Sequence, residues 1–177
     1  MTEQTNFGAA DGPPASRSKI GNGPPQTLVV RHHSNERAVH VMVEIVAPSQ
    51  LKSAVLRERA TQRKKPNSRQ FIALDNGAEA GYISFDHRAD IGTGIVYDLL
   101  VLPEYRQRGI GKRLLAFGED VAASLNCYQV RLNPTAFDGS VFQQWLESWY
   151  SRRGYVWATD ETREMEKLFG IGVSHDV

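Results

Sequence analysis

A single cysteine, Cys127, leaves no partner for an internal disulfide and too few thiolates for a cysteine-built metal site. Long apolar runs are missing too: none approaches the roughly twenty residues that cross a bilayer. Neither sign of charge is in excess, with 21 basic and 20 acidic residues and a net charge of +1. That balance gives no global drive toward nucleic acid or membranes, so each local cluster has to be judged by itself. Apolar side chains are scarce in residues 1–26, where glycines, polar residues and two Pro-Pro pairs dominate. Such a segment cannot bury enough surface to offset its ordering entropy and reads as a disordered tail. It also lacks the basic-then-apolar order of a secretory signal, so a cytoplasmic, reducing location is expected.

The remainder has the composition of a soluble globular protein, 41% hydrophobic and 23% charged. One domain is expected over residues 27–169, followed by a short tail, 170–177. Two β-branched runs, 27–31 and 38–46, read as strands, and Pro48-Ser49 as the start of a helix reaching Lys64. Strands 71–75 and 80–85 flank Asn76-Gly77, a strong hairpin signal. A strand at 95–102 is followed by a helix whose stripe is Ile110, Leu114, Phe117, Val121, Ala122 and Leu125. Then come a strand at 128–132, a helix from about Ser140, and strands at 155–159 and 163–169. This order predicts an α+β, mixed α/β fold: a mostly antiparallel twisted sheet of six to seven strands flanked by three to four helices.

The stretch LPEYRQRGIGKRLL, 102–115, joins strand to helix through two glycines and a cluster of cations. The first N–H groups of a helix have no intrahelical partner, and with the helix dipole they favour an anion. Glycine lets backbone close around a phosphate without interference from Cβ. Arg106, Arg108, Lys112 and Arg113 add charge there. A P-loop is excluded, because Arg106 stands where its first glycine belongs and Arg113 where Ser or Thr belongs. The dinucleotide fingerprint is excluded by Leu114.

The pattern that fits is R/Q-x-x-G-x-G/A, as Arg106-Gln107-Arg108-Gly109-Ile110-Gly111, preceded by the strand Asp98–Leu102. Here the chain resembles the GNAT superfamily of acyl-CoA-dependent N-acetyltransferases, and its order of elements resembles that fold across 27–169. Trp149-Tyr150-Ser151-Arg152-Arg153-Gly154-Tyr155 is similar to the family's late motif. The resemblance implies acetyl-CoA as co-substrate and acetyl transfer to a primary amine, by direct attack through a tetrahedral intermediate. It implies Tyr150 as the acid that protonates the departing thiolate. The backbone of Leu99, Leu100 and Val101 would receive the pantetheine arm and polarise the thioester. The pyrophosphate would lie on the loop of Arg106, Gln107, Arg108, Gly109, Ile110, Gly111 and Lys112.

For the base, Asp98 is the first candidate, because a lone carboxylate in an apolar strand is costly unless it is used or paired. A paired structural role is the competing reading. His87 is a weaker candidate. Some relatives carry a glutamate where this chain has Asn133, and an asparagine where counting back from Tyr150 gives Gln143. The acceptor is not named by the sequence. The basic run Arg57, Arg59, Arg63, Lys64 and Lys65 reads as a solvated helix face, or as contact with an anionic partner such as tRNA. An aminoacyl-tRNA-acetylating toxin and a non-catalytic acyl-CoA sensor or assembly module stand as alternatives. By analogy, edge strands in the final hairpin make a homodimer possible.

Overall fold

In the computed structural model, residues 40–45, 47–65, 68–136, 139 and 141–169 are described. The expected tails and the strand at 27–31 lie outside them. Among the described residues seven strands form one sheet in the order β1-β2-β3-β4-β5-β7-β6, and three α-helices pack on it. The strands are β1 (His40–Glu44), β2 (Arg69–Asp75), β3 (Ala78–Arg88), β4 (Thr93–Val101), β5 (Gln129–Leu132), β6 (Val156–Trp157) and β7 (Met165–Leu168). The helices are α1 (Ala54–Gln62), α2 (Ile110–Ser124) and α3 (Gln143–Ser151). Among these strands β4 and β5 alone run parallel, and α2 is the crossover between them. None of these helices is long and apolar enough to cross a membrane.

The β2–β3 hairpin turns at Asn76 and Gly77, both with left-handed backbone (φ 49° and 83°), as the tight primed turns require. Helix α2 buries Ile110, Leu114, Leu115, Phe117, Val121 and Ala122 against one face of the sheet. A side chain of this size contributes roughly 1.5–3 kcal/mol when fully buried. The helix lies close: a Cβ on Gly94 would come within 2.8 Å of the Phe85 ring and 2.9 Å of Ala122. A smaller core on the other face joins Leu51, Leu56 and Ala60 to Ile72, Tyr82 and Leu102.

Several boundaries differ from the sequence reading. Pro48-Ser49 opens only a short 3-10 turn, Pro48–Gln50, and α1 starts after Ser53, whose hydroxyl caps Leu56 N–H at 3.4 Å. The Glu79 carboxylate accepts from Lys52 and Ser53 N–H at 2.9 and 2.7 Å, which fixes the break in the chain. Strand β3 runs on to Arg88, three residues past the expected end at 85, and a 3-10 turn at Ala89–Ile91 leads into β4. Helix α3 begins at Gln143, so Val141 and Phe142 precede it, and Phe142 is 86% exposed. The last two strands are shorter than the expected 155–159 and 163–169.

Candidate active site

Two irregularities in β4 create the site. The register with β3 slips between Ser84, opposite Asp98, and Phe85, opposite Val96, so Tyr97 is an extra residue. A bulge reverses the alternation of faces beyond it. Val96 therefore joins the α2-side core, whereas Asp98 turns to the α1 side. The second irregularity is that β5 ends at Leu132, opposite Val96. From Tyr97 to Val101 the edge of β4 is left without a strand, and a cleft of about 630 Å³ opens there.

All the cofactor-side residues expected from the sequence line this cleft except Arg108. At its mouth Gln107 and Gly109 take left-handed backbone (φ 62° and 79°) and flank Arg108, which does not. Such alternation turns successive N–H groups toward one point. Helix α2 begins at once, with no side-chain cap at Gly109, and its first α-helical bond is Arg113 N–H to Gly109 O at 3.1 Å. The amides before Arg113 thus have no partner within the helix. Apart from Gly109 itself and its two chain neighbours, no heavy atom lies within 4 Å of where a Gly109 Cβ would stand. That empty space beside converging donors fits a phosphate.

The positive rim is narrower than the sequence suggested. Arg108 crosses to the buried Asp75 (3.3 Å) and lies over the Tyr105 ring. Arg106 donates through Nε to Val101 O at 3.1 Å, closing the end of β4. Lys112 is exposed on the cleft wall.

Tyr150, on α3, is 6% exposed and lines the same cleft. Its ring meets Trp149 and Tyr155 edge-on, at 4.9 and 5.7 Å between centroids. Tyr155 is fixed in turn: its hydroxyl donates to Glu119 at 3.1 Å, and Lys167 pairs with the other oxygen of Glu119 at 2.7 Å. Burial, with the Asp98 charge adding to it, holds the Tyr150 phenol well above the ordinary tyrosine range. The phenol therefore keeps its proton throughout the neutral range.

Asp98 has a fully buried side chain, with Arg59 Nε at 3.3 Å and Arg63 Nε at 3.8 Å. Burial raises its pKa, and the two guanidinium groups pull against that. Both arginines belong to a stripe on α1 and its C-cap, Leu56-Arg59-Ala60-Arg63, whose apolar members are buried. This i, i+3, i+4, i+7 spacing was the available sign that these two arginines face inward. His87 pairs with Gly94 near the start of β4 and does not line the cleft. Asn133 lines it, with its side-chain oxygen accepting from Thr135. Gln143 does not, because its amide binds Ala136 N–H and Pro134 O across the preceding loop and Glu147 one turn along α3. Sequence reasoning did not assign Trp145, Trp149 and Arg153 to the cleft; Arg153 stacks 3.6 Å over the Trp149 ring.

The family model for the Acetyltransferase (GNAT) family matches residues 39–155, about two thirds of the chain. The chain belongs to the GNAT acetyltransferase family. Acetyl-CoA is the co-substrate of GNAT enzymes, and acyl-CoA-dependent acetyl transfer follows from membership. Among solved structures, the IAA acetyltransferase from Bacillus cereus is similar at 15% identity and TM-score 0.52, covering 73% of this chain and 99% of that one. A GNAT-family protein from Desulfovibrio desulfuricans is similar at 15% identity and TM-score 0.54, covering 72% and 95%. Tetrahymena GCN5 is similar at 16% identity and TM-score 0.50, covering 63% and 75%. At these identities the likeness is one of GNAT fold. No curated protein matches the sequence.

Proposed function

We propose that the protein transfers the acetyl group of acetyl-CoA to an amine, with Tyr150 as acid and Asp98 as base. The observation that carries this is the sharing of one cleft by the Tyr150 phenol, the buried Asp98 carboxylate and the uncapped start of α2. The amides from Arg108 to Lys112 hold the pyrophosphate. The strandless edge of β4 at Leu99 to Val101 receives the pantetheine arm as an added strand would be received, and an N–H there polarises the thioester carbonyl. When bound, acetyl-CoA supplies the acetyl group and a thiolate leaving group. Asp98 takes one proton from the attacking nitrogen, and its raised pKa makes it a stronger base than an exposed aspartate. Tyr150 gives one proton to sulfur, so protons balance across the transfer.

An amine is favoured over a hydroxyl because the buried charge facing the acceptor is a carboxylate. No histidine lines the cleft among the described residues to activate an alcohol. The test is release of free thiol from acetyl-CoA against amine, peptide and aminoacyl-tRNA panels, with the product bond identified by mass spectrometry. Tyr150→Phe should lower kcat by about 10²–10⁴ while leaving the Kd for acetyl-CoA nearly unchanged. An O-acetyl product refutes amine transfer, and unchanged turnover in Tyr150→Phe refutes the acid role.

A further inference from the structure

Two helix ends of opposite polarity meet at the cleft. The ring of Trp149, in the last turn of α3, lies 3.6 Å from where a Cβ on Gly111 would stand, in the first turn of α2. The start of α2 attracts anions, but the carbonyl groups at the end of α3 repel them. A phosphate seated on α2 therefore needs the end of α3 masked.

Arg153 supplies that mask. It follows the C-cap of α3, is half-buried and lines the cleft. Its Nη1 donates back to the carbonyl of Trp149, and the guanidinium lies 3.6 Å over the same residue's ring. Capping a helix uses one donor, whereas Arg153 brings a full charge and a buried Nε with no hydrogen-bond partner. Hydrogen bonds to carboxylates raise the pKa values of Arg69, Arg88 and Arg131, but burial and then the Arg152 charge push that of Arg153 down. Glu119, whose charge works the other way, is already bound to Tyr155 and Lys167.

The other cations near the cradle are committed elsewhere. Arg59 is paired with Asp98, Arg106 with the end of β4, and Arg108 with Asp75. Lys112 and Arg153, one from each helix, line the cleft without an ion pair to a carboxylate among the described residues. Coenzyme A brings a pyrophosphate and a 3′-phosphate, and their charge needs a partner there.

We propose that Arg153, together with Lys112, binds a phosphate of the coenzyme. This rests on the reading that seats the pyrophosphate on the amides of α2. A planar guanidinium matches phosphate oxygens through two donors, and its stack on Trp149 already restricts its motion, so little freedom is lost on binding.

The experiment is calorimetric titration of CoA, and of dephospho-CoA lacking the 3′-phosphate, into wild type, Arg153→Gln and Arg153→Lys. The Gln amide still has a donor for the Trp149 carbonyl. Arg153→Gln should weaken CoA binding by roughly ten- to a hundredfold, the worth of one charge-assisted contact, and Arg153→Lys should recover part of it. An equal loss with dephospho-CoA assigns Arg153 to the pyrophosphate, and a loss confined to CoA assigns it to the 3′-phosphate. The loss should shrink as salt rises; a loss indifferent to salt would mean that Arg153 only braces α3, and would overturn the proposal. Unchanged CoA affinity in Arg153→Gln would overturn it too, with the seat on α2 intact. Wild-type protein alone covers a variant that does not fold: saturating CoA should slow the modification of Arg153 by phenylglyoxal, followed by peptide mass spectrometry. An unchanged rate would overturn the contact. Failure of wild type to bind CoA at all would overturn the cleft reading itself.

Discussion

Burial suits Tyr150 and Asp98 to the opposite roles proposed for them. Both pKa values are pushed upward by loss of water. For the phenol this secures a proton to give, and for the carboxylate it strengthens the affinity for a proton to be taken. The Asp98 assignment makes a prediction whose sign depends on pH. A base is needed most when the amine arrives protonated and works only while the carboxylate is ionised, so Asp98→Asn should be most damaging at pH values above the raised pKa of Asp98 and below that of the amine. Its deficit in kcat/KM should shrink as pH rises past the amine's own pKa. A deficit of constant size across that range would mean that Asp98 acts only as the anchor of Arg59 and Arg63. On the basic side, wild-type activity should hold beyond the ordinary tyrosine pKa of about 10, since Tyr150 stays protonated there.

At the scale of elements, the loop before α2 and the seat of α2 on the sheet make separable demands on glycine. Gly109 needs left-handed backbone and leaves open the position proposed for the phosphate, whereas Gly94 lets the Phe85 ring and Ala122 pass over the strand. Gly94→Ala should therefore cost about 1–3 kcal/mol of stability by overpacking, read as a lower denaturation midpoint, with acetyl-CoA affinity kept in the folded fraction. Gly109→Val should lose acetyl-CoA binding. Retained affinity there would contradict the cradle. These elements were also the legible ones. The helical stripe from Ile110 to Ala122, the Asn76-Gly77 turn and the spacing of Arg106 to Gly111 are local patterns, set by short-range geometry. The bulge at Tyr97 was not legible, because it exists only through pairing with β3, and it alone decides which face Asp98 takes. The inward turn of Arg59 and Arg63 was written in the spacing with Leu56 and Ala60. A cationic run nonetheless reads as a solvated face until a buried carboxylate is placed opposite it. Pro48 misled for a related reason: the helix start was set by Ser53 and by Glu79 from another strand, a contact 26 residues away.

At the scale of the whole molecule, the sheet is two blocks joined along a short seam. Strands β1 to β4 pair along most of their lengths, but β4 meets β5 over only four residue pairs, Thr93–Val96 with Gln129–Leu132. Beyond that seam the blocks diverge around the cleft, and α2 bridges them through the shared core. A ligand laid along the free edge of β4, with its phosphates on α2, lengthens the seam. Binding should then stabilise the fold as a whole and not one loop. At a hundredfold excess over Kd, linkage contributes about 2.7 kcal/mol, which for a chain of this size raises Tm by roughly 5–11 °C. The shift should come as a single sharpened transition with CoA or acetyl-CoA. It should be absent in Gly109→Val and preserved in Tyr150→Phe, which removes only the proposed proton donor. A shift retained in Gly109→Val would place the coenzyme elsewhere. A second, unshifted transition in wild-type protein would show that the two blocks unfold independently, with the coenzyme held by one of them alone.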